Sequence, residues 1–406
     1  MVERKLPSKM MKTIRVGFVL FAGDWIGGRN YLRNLFSAIG TLPGKPIVPV
    51  LVAGKQTAKV EADFPGVETL KTSLLDSKGP AWFARQMISK LAGRDVLLAQ
   101  FLRRHGITVL SHSVSIGRQT EITTIGWIPD FQHVYLPELF TSAELRDRNR
   151  KFRQLCESSH GVFISSECAR SDLAEMFPNY LHKTHLLRFV ASPLPLGRAA
   201  TLSELRAAYQ FRHPYFLVPN QFWAHKNHRV IIDALRILKA QGRPVLVLAT
   251  GSTSDYRNPL FFDSLMRHID ECDVAEFFHV LGQVPFDHLV GLMRYAIAFI
   301  NPSRSEGWST SVEEAKSMGK QILLSDLAVH REQAPPRGIF FAPDDPNALA
   351  REMLSAWDGY DAARDEEFQN HARSSFPARQ EAFGEAYWQA ICEAVSNQGR
   401  NETSKT

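Results

Sequence analysis

Two glutamates, Glu306 and Glu314, stand with seven residues between them and flank the small-residue run Gly307-Trp308-Ser309-Thr310-Ser311. Paired carboxylates can serve the cleavage of a glycoside. The residues between them suit the opening of a helix, because Thr310 with Glu313 and Ser311 with Glu314 both fit the S/T-x-x-E pattern that caps an N-terminus. A helix that starts there turns free N–H groups and the positive end of its dipole outward, a setting for a phosphate. Other candidates are Lys226 within His225-Lys226-Asn227-His228, Asp130 and His133 in a proline-bounded loop, and the pair Gly27-Gly28. Glycines at a helix start let backbone approach a ligand closely. Two histidines three apart, with no carboxylate or cysteine beside them, read as a turn, so no metal site is expected there.

Elements must deliver these residues. Apolar runs at 14–21, 47–52, 109–112 and 124–128 read as buried strands, with a helix over 29–39. A proline-punctuated stretch at 191–195 reads as a linker. The alternation then restarts, with strands at 215–218, 245–249, 278–281, 296–300 and 322–325 and helices at 227–240, 260–270 and from about 310. Strand–helix alternation of this kind gives parallel sheets covered on both faces. The expected fold is therefore α/β, with two Rossmann-like doubly wound units facing each other across a cleft. Their expected extents are 1–195 for the first and 196–378 for the second, with a helix at 379–395 packing back on the first and a loose polar tail from 396.

Composition narrows the class. The chain has 406 residues, 44% apolar and 22% charged, which suits two or three globular units and excludes a disordered chain. A net charge of +6 favours anionic ligands or a membrane surface but is too small to imply nucleic-acid binding. Four cysteines without C-x-x-C spacing fit a reducing, cytoplasmic setting. Arg4, Lys5, Lys9 and Lys12 precede an apolar run, but no small-x-small cleavage pattern follows, so this segment reads as a basic tail before a buried strand. No G-x-G-x-x-G follows a strand, and there is no Walker A loop, G-x-S-x-G elbow or D-x-D metal clamp. The cleft must handle an anion without those devices.

The E-x7-E spacing of Glu306 and Glu314 resembles that of the retaining nucleotide-sugar glycosyltransferases of family 4, which have the GT-B fold. The resemblance extends to Phe216-Leu-Val-Pro-Asn-Gln-Phe-Trp-Ala-His-Lys226, to Val280-Leu-Gly-Gln-Val-Pro285, to Ile322-Leu-Leu-Ser-Asp326, and to Trp127-Ile-Pro-Asp130-Phe-Gln-His133-Val-Tyr-Leu-Pro137-Glu138. It covers roughly residues 14–355, most specifically 215–330. It implies a metal-independent hexosyltransferase of polysaccharide or glycoconjugate synthesis, with no cofactor beyond its nucleotide-sugar substrate. Glu306 would sit beside the donor sugar and Glu314 would hold the ribose. Lys226, Asn220, Gln221, Gly307, Trp308, Ser309, Thr310 and Ser311 would line the donor site, the backbone at Val284 would meet the base, and Gly27 and Gly28 would approach from the other unit. Lys226 and the helix N-terminus can stabilise the departing diphosphate in place of a metal.

Two positions depart from the family pattern. Gln221 stands where many members carry a second diphosphate-binding arginine, and Pro129 where the loop before the aspartate usually has histidine. His133, with Asp130, is the candidate to take over catalytic contact with the donor sugar. Other readings remain open: a non-catalytic sugar-nucleotide-binding protein, a GT-B epimerase or phosphorylase, or a glycoside hydrolase. The acceptor is expected to be a glycan or a lipid-linked glycan bound by the first unit. The stretch 79–105 sets Trp82, Phe83, Met87, Ile88 and Leu91 among Lys78, Arg85, Lys90, Arg94, Arg103 and Arg104, and 146–153 adds five basic residues against one aspartate. A helix packing its apolar face inward is the favoured reading, and peripheral contact with an anionic membrane on the cytoplasmic side is the alternative.

Overall fold

The computed structural model describes residues 13–20, 26–44, 46–57, 60–112, 116–117, 121–211 and 214–403. The basic N-terminal tail and the end of the first apolar run lie outside them. Among the described residues thirteen strands form two sheets, and every pairing is parallel. The first sheet holds β1 (Ile14–Val19), β2 (Ile47–Ala53), β3 (Glu68–Lys71), β4 (Val109–Ser111), β5 (Thr123–Ile128), β6 (Gly161–Ile164) and β7 (Thr184–Leu186) in the order β3-β2-β1-β4-β5-β6-β7. The second holds β8 (Tyr215–Val218), β9 (Leu246–Thr250), β10 (Phe278–Gly282), β11 (Ala298–Asn301), β12 (Gln321–Ser325) and β13 (Gly338–Phe341) in the order β10-β9-β8-β11-β12-β13.

Strands such as YFLV in β8 and AFIN in β11 are buried along their whole length, as parallel strands covered on both faces must be. The order reverses between β1 and β4 and again between β8 and β11. Ligands of doubly wound sheets bind beyond the carboxyl ends of strands at such reversals. Asn220 and Gln221 follow β8, and the Glu306 loop follows β11, so both flank the reversal in the second sheet.

Four strands and the final helix differ from expectation; one of the four, β6, was not foreseen although it is buried along its length. The edge strands β3, β7 and β13 were not foreseen, because they are short and only partly buried, with weak hydrophobic patterning. The final helix runs over Ala362–Thr403 rather than 379–395, so a loose tail from 396 is not what is found. It packs on both units. Phe383, Tyr387 and Ile391 enter the core of the first with Phe18 and Phe163. Its earlier turns hold the second, where Asp365 accepts from Lys320 at 2.5 Å and Arg337 at 2.6 Å. A Cβ at Gly384 would stand 2.5 Å from Ala38 O, so the close approach to the helix Ile26–Gly40 requires glycine there.

Candidate active site

The carboxamide of Asn301, buried at the end of β11, organises the loop that follows. Its Nδ2 donates to Ser309 Oγ at 2.8 Å and Ser311 Oγ at 3.0 Å, and its Oδ1 accepts from Ser303 N at 3.2 Å. Ser303 Oγ lies 2.6 Å from Asn301 Oδ1 and 2.7 Å from Glu306 Oε1, so its single proton serves one of them at a time. Lys226 Nζ donates to the same Glu306 oxygen at 2.6 Å. The two side chains come from separate turns, joined where Arg304 N donates to His225 O at 2.8 Å. Asn227 closes the lysine turn in the left-handed region, φ 54°, and its Nδ2 donates to Pro343 O at 2.8 Å.

Burial alone would raise the Glu306 carboxyl. The Lys226 charge and hydrogen bond, with smaller contributions from His330 and His225, outweigh it and bring the pKa down to about 2. Glu314 is the opposite case. It is half-buried with no hydrogen-bond partner among the described residues, and burial pushes it up to about 7. Two carboxylates of one motif are thus held in different protonation regimes.

The helix following the motif covers Thr310–Met318, with Ser309 as its cap residue and no side-chain capping bond. The S/T-x-x-E boxes expected at Thr310 and Ser311 do not form, although the same pattern closes at Thr141/Glu144 and Thr201/Glu204. Glu313 turns inward instead, accepting from Lys316 at 2.9 Å, Arg379 at 2.7 Å and Gln333 at 3.1 Å. The Gln333 carboxamide also takes Ser309 N at 3.0 Å. Gln333 thus occupies the Ser309 amide, while those of Thr310, Ser311 and Val312 have no side-chain acceptor among the described residues, as an anion site requires.

On the β8 side, Gln221 Oε1 accepts from Ser252 N at 2.7 Å, which fixes the carboxamide against the turn after β9. Asn220 is buried, and its Nδ2 has no hydrogen-bond partner among the described residues. Val284 is half-buried and packs against the second unit's core. A cation that sequence reasoning missed lies close by. Arg257 Nη1 donates to Gln132 Oε1 of the first unit at 2.8 Å, and its guanidinium lies over Trp223, 5.3 Å from the ring centre, with Nη2 3.5 Å from His225 Nδ1. Nothing in its local sequence marks it, since its role depends on the two units meeting.

The units touch at Gly307, where a Cβ would stand 2.0 Å from Pro129 O and 2.9 Å from Asp130 Cβ. Asp130 is thereby brought to the Glu306 loop, where its Oδ1 accepts from Gln132 N and Arg148 Nη2, each at 3.0 Å. Trp308 Nε1 donates across to Phe189 O at 3.0 Å. His133 is not brought to the cleft. It is buried among Phe131, Phe140 and Phe152, with Nε2 2.7 Å from Asn149 Oδ1, and burial lowers its pKa. The neighbouring Gln132 and Tyr135 face the hollow in its place. That hollow, about 120 Å³, is walled by Gln132, Tyr135, Ser166 and Asp172 on one side and by Ser305, Glu306, Gly307 and Ala328 on the other. The Tyr135 hydroxyl donates to Asp172. Gly27, exposed, and Gly28, buried, lie in the first turns of the helix Ile26–Gly40 that follows β1.

A cluster able to ligate a metal was also missed: Asp233 on the helix His228–Ala240, His268 on the helix Phe261–Glu271 and Cys272 capping the latter, with ligand atoms within 4.8 Å of one another. The 2.9 Å contact of His268 Nε2 with Asp233 Oδ1 accounts for its polar groups.

Residues 204–375 match the family described as "Glycosyl transferases group 1". The O-antigen chain mannosyltransferase B of Escherichia coli is 24% identical over 223 residues, 54% of this chain and 57% of that protein. The O-antigen chain mannosyltransferase RfbU of Salmonella typhimurium is 27% identical over 131 residues, 32% of this chain and 35% of its own. The chain thus matches little more than half the length of the first of these curated relatives and about a third of the second. A glycosyltransferase of Rickettsia africae superposes with a TM-score of 0.65 at 15% identity, covering 95% of this chain and 99% of the other. Anabaena HepE, solved with UDP and glucose, gives 0.60 at 14% identity, covering 97% and 99%. WaaG, a glycosyltransferase of lipopolysaccharide biosynthesis, gives 0.60 at 12%, covering 92% and 98%. These likenesses show the fold, and it is GT-B.

Proposed function

We propose that the protein is a retaining glycosyltransferase that moves a hexosyl group from a nucleotide-diphosphate sugar to a glycan or lipid-linked glycan acceptor. The observation that carries this reading is the Lys226–Glu306 pair at the reversal of the second sheet, in the loop leading to the uncapped helix Thr310–Met318. In the reaction the bond between the anomeric carbon and the phosphate oxygen breaks, and its electron pair goes to the diphosphate. Lys226 and the first-turn amides stabilise that charge, so no metal is required. Glu306, ionised, faces the hollow where positive character develops on the sugar. The acceptor hydroxyl forms the new bond on the face the phosphate leaves, and its proton passes to the departing phosphate oxygen. Glu314 takes the ribose hydroxyls in this reading. Gln221, fixed by Ser252, supplies no charge, so diphosphate affinity rests on Lys226 and the helix.

The mannosyltransferase names of the curated relatives place mannosyl donors first among the sugars to test, with polysaccharide assembly of the O-antigen kind as the setting. The experiment is a thermal-shift panel of UDP, GDP, ADP and their sugars, followed by product analysis with glycan acceptors. A matched nucleotide sugar that both stabilises the protein and donates its sugar supports the proposal. Nucleotide stabilisation without turnover would mark a binding protein, and hydrolysis of a glycoside with no nucleotide present would mark a hydrolase.

A further inference from the structure

The helix Pro80–Ala92 is built inside out. Its buried side chain is Arg85, which donates to Asp95 Oδ2 at 2.6 Å and to Leu74 O at 3.2 Å. Its large apolar side chains face solvent, with Phe83 55%, Met87 67%, Ile88 38% and Leu91 83% exposed. Steps of four residues place 83, 87 and 91 in one row, with Ile88 beside it. The inward-packed face favoured by the sequence is therefore not what forms. The Arg85–Asp95 pair takes the inner side of the helix and turns the apolar row outward.

An outward apolar row needs a partner. The charges around it say which. Lys78, Lys90, Arg94 and Arg104 are exposed and make no ion pair among the described residues, while the one acid between 77 and 106, Asp95, is buried by Arg85. A second copy of the chain would bring this cationic rim against itself. An anionic surface with an apolar interior matches both features. We propose that the helix Pro80–Ala92 docks flat on an anionic lipid bilayer, its apolar row among the acyl chains and its rim at the headgroups. No helix among the described residues is long and apolar enough to cross a membrane, which fits a peripheral contact. The inference does not depend on the catalytic reading.

The test is co-sedimentation of the full chain with phosphatidylcholine vesicles, with and without phosphatidylglycerol, at low and high salt. Binding is expected to the anionic vesicles alone and to weaken with salt. Met87→Glu with Leu91→Glu is expected to reduce partitioning at least tenfold. Lys90→Gln and Arg94→Gln are each expected to cost about fivefold. Because the replaced side chains are exposed, unfolding temperatures are expected to hold, and Met87→Ser with Leu91→Ser repeats the test without new charge. Equal binding to both vesicle types would overturn the proposal, as would undiminished binding by both double variants. So would a dimer in sedimentation velocity that the double variants abolish while no vesicle binds.

Discussion

Lys226 Nζ and Glu306 Oε1, eighty residues apart in the chain, meet at 2.6 Å, with only 15% and 10% of the two side chains exposed. Without a ligand each neutralises the other. Under the proposed function, a diphosphate arriving at Lys226 would compete for the ammonium and free Glu306 toward the hollow. Glu306→Gln keeps the shape and a polar contact for Ser303 but not the charge. Its turnover is expected to fall by about 10²- to 10³-fold, the loss typical of one transition-state electrostatic contact. Steady-state kinetics alongside circular dichroism check this, and a folded variant with near wild-type turnover would remove Glu306 from the mechanism.

Removing the lysine strands the acid. Lys226→Ala leaves Glu306 buried without its cation, a change that costs about 3–5 kcal/mol where a buried pair is broken from one side. The pH dependence shifts too. In the native protein the Glu306 pKa lies at about 2, below its ordinary 4.5, so its stabilisation is fully present above 4.5 and is lost as pH falls from 4.5 toward 2. In the variant burial dominates and the pKa moves above 4.5, so stability is lost as pH rises instead. Unfolding temperatures at pH 5 and pH 8 distinguish the two slopes.

Glu314 makes a second pH prediction of opposite sign. Burial raises its pKa from 4.5 to about 7, so stability is fully present below pH 4.5 and is lost as pH rises through about 7. Glu314→Gln is expected to raise the unfolding temperature at pH 8 and leave it nearly unchanged at pH 4.5. If Glu314 holds the ribose as proposed, the variant is also expected to weaken nucleotide binding. A variant equally shifted at both pH values would mean that the carboxyl does not titrate in this window.

What was legible in the chain, and what was not, follows the range of the interactions. The strands leading to Lys226 and Glu306 could be read because their buried runs are continuous, as in β8 and β11. The capping box at Thr310 misled because Glu313 finds Arg379, sixty-six residues on, and that at Ser311 because its hydroxyl is taken by Asn301, partners no local pattern reveals. His133 was singled out over Gln132 and Tyr135 for its chemistry. A short helical turn aims successive side chains differently, and this one turned the imidazole to Asn149. Arg257 escaped notice because its partner Gln132 belongs to the other unit.

Gly307 sets how closely the units can meet. A Cβ 2.0 Å from Pro129 O cannot be accommodated without moving one backbone or the other. Gly307→Ala is therefore expected to fold, since each unit keeps its own core, but to hold the cleft ajar. The expected signs are a larger radius of gyration in small-angle X-ray scattering and turnover reduced by about a hundredfold or more, as misplacement of about 1 Å produces. An unchanged radius with full activity would show that the contact yields cheaply.

The last prediction concerns how closure is held on the other flank of the hollow. Glu332 of the second unit accepts from Glu167 N through both oxygens at 2.9 Å, at the N-terminus of the helix Glu167–Met176 of the first. Arg188 donates to the same carboxylate at 2.8 and 2.6 Å. A carboxylate at a helix N-terminus contributes about 1 kcal/mol, or roughly fivefold in the balance between closed and open forms. Glu332→Ala, which touches none of the Lys226 turn, is expected to leave nucleotide affinity of the second unit nearly intact. With the cleft more often open, water reaches the donor more often. The ratio of donor hydrolysis to transfer is expected to rise about fivefold, and a ratio that stays at the wild-type value would assign Glu332 to local helix capping alone.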